Sequence, residues 1–245
     1  MIKRYFLVIC LFMSVLGVYS QDNGNDEKIS LSVDFASGFV WRGIAFNTSP
    51  VVQPEVSLNL GRFSFGAWAS TPFTQGKHTE FDLYVFCEIT PSISIGLLDY
   101  FDYDASNSMP PSYFEYGKNK TTHTLDLMVM YDGSGAFPIK AMASTIIAGA
   151  DLNDDGKRNF STYIELGYEN TTRNNIDWEV FMGFVPMKST GFYEVEKPGF
   201  LNLGLGVTKT FEITPTYSLP LSLKLGVNPH PDHQSVFLKA AIKLF

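Results

Sequence analysis

The chain is poor in cysteine, in positive charge and in long apolar runs, and each shortage excludes a class of protein. Its two cysteines are Cys10 and Cys87. Cys10 falls in a segment with the three parts of a secretory signal. These are Lys3 and Arg4, an apolar run from Tyr5 to about Val18, and Val18-Tyr19-Ser20 before a cut ahead of Gln21. Removing residues 1–20 leaves Cys87 alone, so no internal disulfide forms and an exported disulfide scaffold is excluded. A lipoprotein acylated at Cys10 is excluded as well, since no proper apolar region precedes that residue.

Lys and Arg total 18 against 25 Asp and Glu, a net charge of −7. The signal segment carries two basic and no acidic residues, so the mature chain stands at −9. So acidic a chain lacks the basic stripe that nucleic acid requires. Beyond the signal, no stretch reaches the roughly 18 consecutive apolar residues of a membrane helix. Neither G-x-S-x-G nor H-E-x-x-H occurs, and the expectation is that the protein is not an enzyme.

What the sequence does have is alternation. From Ile29 to the last residue, apolar side chains recur at every second position, and helical spacing is scarce. A short tail, 21–28, precedes one large domain over 29–245. Twelve strands are expected, around 29–41, 52–60, 63–69, 81–89, 93–99, 125–131, 139–150, 164–168, 176–184, 201–207, 219–227 and 236–244. The first puts Ile29, Leu31, Val33, Phe35, Phe39 and Trp41 on one parity; the fifth loses its parity at Asp99, where a bulge is expected.

Connections alternate between modest turns, such as Gly61-Arg62 and Thr90-Pro91, and longer charged loops, such as 102–120, 151–159 and 188–198. Aromatics stand near strand ends: Phe39, Trp41, Phe46, Phe73, Phe101, Tyr103, Tyr131, Tyr168 and Phe184. Apolar faces of crossing length, interfacial aromatics and unequal ends specify an all-β, transmembrane, antiparallel up-and-down β-barrel. A secreted β-sandwich also alternates, but does not need an apolar parity for a full crossing length on nearly every strand.

"SGFVWRGI" (37–44), "QPEVSLNL" (53–60) and "FGAWAS" (65–70) resemble the opening of the TorF-type porin family, and "STYIELGY" (161–168) and "LNLGLGVTKTF" (201–211) resemble its later strands. The resemblance implies an outer-membrane barrel of a Gram-negative bacterium and a pore. Phe245 fits the terminal residue that barrel assembly machinery reads, although Lys239 and Lys243 share its parity.

The opposite parity carries the chemistry. Arg42, Glu55, Glu80, Asp82, Glu88, Asp126, Glu165, Asp177 and Glu179 are expected to face the lumen, with Arg42 within reach of Glu55. Facing lipid, each charge would cost several kcal/mol. Two readings remain open: a carboxylate-lined, cation-preferring path for small hydrophilic solutes, and a polar plug in a non-conducting barrel whose loops bind a ligand. An outer-membrane lipid hydrolase, with Ser and His on neighbouring strands, is a third.

Asp151, Asn153 and Asp155 followed by Gly156 match the start of a calcium loop, but Thr162 stands where its bidentate Glu belongs. His230 and His233 lie three apart in a proline-bearing loop, read as solvated. No other cofactor is expected. The expected partners are membrane lipid, the assembly machinery and small solutes. Oligomeric state is left open.

Overall fold

The computed structural model describes residues 28–74, 78–104, 111–117, 120–134 and 137–244. The signal segment 1–20, residues 21–27 of the tail and Phe245 lie outside the described residues. Among the described residues, fourteen strands follow in chain order: β1 (Ile29–Ala36), β2 (Phe39–Trp41), β3 (Ile44–Asn47), β4 (Val51–Leu60), β5 (Phe63–Pro72), β6 (His78–Thr90), β7 (Ile93–Asp104), β8 (His123–Tyr131), β9 (Lys140–Gly149), β10 (Thr162–Thr171), β11 (Ile176–Val185), β12 (Gly199–Thr214), β13 (Tyr217–Asn228) and β14 (Ser235–Lys243). Twelve of them close into one antiparallel barrel, and β2 with β3 forms a separate two-stranded hairpin.

Closure joins β1 to β14, with Phe35 opposite Ile242, so the sheet has no free edge. The alternation in the sequence becomes an inside and an outside. More large apolar side chains are exposed than buried: Leu31, Leu58, Phe65, Leu83, Leu97 and Leu127 are among those turned outward. Such a continuous greasy exterior is stable against acyl chains and insoluble in water. The barrel is a transmembrane one.

Short turns gather at one end, after β4, β6, β10 and β12. The longer connections gather at the other, together with the hairpin. That end also holds the small apolar core. Tyr163, Val185, Tyr193, Val195 and Leu201 form one cluster, and Ala36, Phe39 and Val51 another, with Trp41 packed against both.

Two expectations are corrected here. The first expected strand is not continuous: it breaks at Ser37-Gly38, and Phe39, Trp41 and Phe46 turn into the barrel rather than joining a membrane girdle. Phe39 is only 4% exposed. Parity counting missed this because a two-residue break preserves odd and even numbering. The bulge expected at Asp99 is absent, since Asp99 pairs in register with Leu83 and with Leu125. Asp99 keeps its place by bonding His123 Nδ1 at 2.8 Å instead. A register shift occurs between Leu125 and Asp126 on β8.

Candidate functional site: the lumen and its mouth

The hairpin turns through Arg42 and Gly43, with Trp41 opposite Ile44. Both turn residues have positive φ, 48° and 81°, as a two-residue hairpin of the primed type requires. Glycine is needed at 43 for a second reason. A Cβ there would stand 1.9 Å from the Leu201 carbonyl oxygen, so the tip lies hard against β12. Asn228 Nδ2 on β13 donates to the Gly43 carbonyl at 3.2 Å. At the base, Asn47 Nδ2 donates to the His78 carbonyl at 2.8 Å. The hairpin therefore leaves the wall at β1, leans over the mouth and is tied down at its tip on β12 and β13, two to three strands round the ring.

Arg42 reaches further. Its Nη2 lies 3.0 Å from Asp126 Oδ2 on β8, nearly half way round the ring from β1, and both side chains are buried. Tyr100 donates to the same oxygen at 3.1 Å, and Arg42 Nη1 donates to Tyr193. Burial pushes the Tyr193 phenol up to about 12, so it meets Arg42 as a neutral acceptor. The guanidinium carbon is 4.2 Å from the centre of the Trp41 ring and 4.8 Å from that of Tyr163. This is a buried cation with its charge, hydrogen bonds and ring faces all supplied.

Below the hairpin lies a cavity of about 820 Å3. A second of about 630 Å3 continues toward the short turns and shares Met128, Met142, Glu165, Glu179 and Phe181 with it. Their walls carry most of the nine lumen candidates. Glu55 accepts from Tyr84 Oη at 2.6 Å, whereas the expected partner, Arg42, goes to Asp126. Glu80 pairs with His78 at 2.8 Å. Asp82 is buried, and its Oδ1 has no hydrogen-bond partner. Glu165 accepts from Tyr163 and from Asn202, the latter at 3.0 Å. Glu179 lies 2.6 Å from Lys224. Glu88 lines the second cavity; Asp177, at the short-turn rim, accepts from Thr171 Oγ1 at 2.7 Å.

Inward aromatics line the same walls without filling them, because glycines on neighbouring strands let the rings lie flat. A Cβ on Gly66 would meet the Tyr84 ring at 2.2 Å, and one on Gly96 the Phe86 ring at 2.1 Å. Residue-by-residue reading had not assigned Lys224 and Lys239 to the lumen, where they face each other across β13 and β14 and line the first cavity. Their signal was present: each is flanked by outward leucine or alanine neighbours. Tyr193 and Trp68 gave no such signal, since a loop residue and a strand aromatic have no charge to betray which way they face.

The calcium candidates sit in a loop closed by its own side chains. Asp151 accepts from the Ser161 amide at 2.8 Å and the Ser161 hydroxyl at 2.7 Å. Asn153 Oδ1 accepts from the Asp155 and Lys157 amides at 3.1 and 2.9 Å. His230 bonds the Lys197 carbonyl at 2.9 Å, and His233 the Tyr193 carbonyl at 2.8 Å, so this pair clasps the loop before β12 to the turn before β14. Among the described residues, no histidine hydrogen-bonds to a serine hydroxyl.

Fold and lumen together define a transmembrane β-barrel with a charged interior narrowed by an inward hairpin. No family model matches the chain, and no curated protein matches it in sequence. Among solved structures, it is similar to the KdgM porin, at 7% identity and a TM-score of 0.46, over 87% of this chain and 98% of that one. It is also similar to OccK1 (OpdK) of Pseudomonas aeruginosa, at 11% identity and a TM-score of 0.38, over 89% of this chain and 59% of that one. OccAB3 of Acinetobacter baumannii gives 7% identity and a TM-score of 0.37, over 91% and 65%.

Proposed function

We propose that the protein is a porin-like barrel of the Gram-negative outer membrane that passes small hydrophilic solutes and prefers cations. One observation carries the reading: two adjoining cavities run beneath the hairpin to the short-turn end, walled by more carboxylates than bases. Asp34, Glu55, Glu80, Asp82, Glu165 and Glu179 line the first, against Arg42, Lys224 and Lys239. Of the three bases, Arg42 is committed to Asp126 and Lys224 to Glu179. Selectivity in such a path comes from width and from the sign of the lining, without a catalytic residue. The TorF-type resemblance of the opening strands agrees with this reading.

The hairpin supports a second reading, a non-conducting barrel, because it is tied at base, tip and Arg42. Conductance of the refolded protein in planar bilayers separates the two. A pore gives channel events and a reversal potential on the cation side in a salt gradient. Replacing Glu165 and Glu179 with Gln moves that potential toward the anion side, and Lys239→Gln moves it the other way. Silence under every voltage and salt condition would leave only the closed barrel.

A further inference from the structure

One stretch of the β7–β8 connection, 111–117, packs against the outside of the wall. Asp99 on β7 is paired with Leu83 and Leu125, and stands between Leu97 and Phe101 on the outward parity. Leu83 and Leu97 are 42% and 37% exposed. His123 on β8 is paired with Phe101 and shares that parity. Yet Phe101 is 6% exposed and His123 only 1%, on a face whose leucines lie open. The stretch 111–117 is what covers them.

Tyr113 sets its ring edge-on against Phe81, Phe101 and His123, with centroids 5.8, 5.0 and 5.0 Å away. Tyr116 stacks on His123 at 4.2 Å. His123 Nε2 donates to the Tyr113 carbonyl at 2.5 Å, and its Nδ1 lies 2.8 Å from Asp99 Oδ1. The Tyr116 hydroxyl donates to Asp99 Oδ2 at 3.4 Å. A carboxylate bare on a lipid-facing wall would be costly, and here one histidine and two tyrosines seal it.

The outer side of the stretch is apolar. Phe114 is 83% exposed and Tyr116 54%. This surface runs on into the greasy wall: Phe114 packs on Tyr113, Tyr113 on Phe81, and Phe81 shares its parity with Leu83. A phenylalanine so open is unfavourable in water. Two rings are too small a patch to hold a second copy, since a stable protein interface buries about 1,200–2,000 Å2 in total. Tyrosine at the edge of an apolar belt suits a membrane interface, its ring among acyl chains and its hydroxyl on a polar partner.

We propose that 111–117 is a flap folded down the outside of the barrel, clasped by His123 and Asp99, and that it inserts Phe114 and Tyr116 among the acyl chains of the outer leaflet. The flap serves the membrane rather than a soluble ligand, and does so whether or not the lumen conducts.

The test places an indole at the exposed ring. The full-length barrel is reconstituted in phosphatidylcholine vesicles, with or without bromine on the acyl chains, and iodide is added from the water. Emission of Phe114→Trp is compared with that of the parent, both carrying Trp178→Phe, because Trp178 shares the outward parity of Val180 and Met182. Trp41 and Trp68 line the lumen and cancel in the comparison. The added indole loses about half or more of its emission to the brominated chains and little to iodide. Adding Tyr113→Ala, which leaves the wall strands intact, releases the flap, so lipid quenching falls and iodide quenching rises. Quenching by iodide but not by the brominated chains overturns the proposal, and so does lipid quenching undiminished in Tyr113→Ala. Protection from both quenchers, together with cross-linked dimers, would put a second copy on the flap and overturns it too. Bilayer recordings keep the two readings apart: a silent barrel quenched by lipid sinks the pore alone, and a conducting one quenched only by iodide sinks this inference alone.

Discussion

The Arg42–Asp126 pair should set the width of the mouth, and cutting it on one side should show this. The two side chains are 5% and 0% exposed, so water screens them little. Arg42→Met keeps much of the apolar stem lying on Trp41 but leaves Asp126 buried, with Tyr100 as its donor. Removing one partner of a buried pair costs about 3–5 kcal/mol. Taking about 3 kcal/mol, the population of hairpins tied across the lumen falls roughly 150-fold relative to released ones. The expected record is single-channel conductance raised about twofold or more, with frequent transitions as the hairpin moves. The double variant, Arg42→Met with Asp126→Leu, discriminates. It removes both charges and leaves no buried carboxylate, so its conductance should return toward the parent. If the single and the double variant both conduct like the parent, the pair does not hold the constriction.

Two smaller perturbations probe the wall. Gly66→Ala pushes the Tyr84 ring off the wall and breaks its hydrogen bond to Glu55; it should cost about 1–3 kcal/mol in urea unfolding and lower conductance as the ring enters the lumen. Ser161→Ala takes away the hydroxyl shared by Asp151 and Ser189, all three buried, and should cost about 1–3 kcal/mol. Because Asp151 is served by Ser161 and Asn153 by backbone amides, adding EDTA or calcium to the parent should leave its thermal midpoint unchanged. A midpoint raised by calcium and lost in Asp155→Ala would show an ion holding this loop.

The wall was legible in the sequence, and the mouth was not, for one physical reason. Strand parity is a local signal, because residues two apart must share a face whatever the rest of the chain does. Twelve strands and their outward leucines follow from it directly. The partner of Arg42 does not, since Asp126 lies 84 residues away and is reached only because the hairpin leaves the wall. A glycine at 38 and a primed turn at Arg42-Gly43 were the clues that Phe39–Asn47 is not wall, but they read equally well as an ordinary surface hairpin. What decides between the two is the company the aromatics keep. Phe39, Trp41 and Phe46 would be costly on a hydrated loop, and the rings they meet, Trp68, Tyr100 and Tyr193, come from two wall strands and a distant loop. Apolar residues in a surface hairpin of a membrane barrel have only lipid or the lumen in which to hide. Arginine beside tryptophan suits the membrane interface as well as the lumen, so it is the burial of Arg42 on Asp126 and Trp41, a long-range fact, that decides for the lumen.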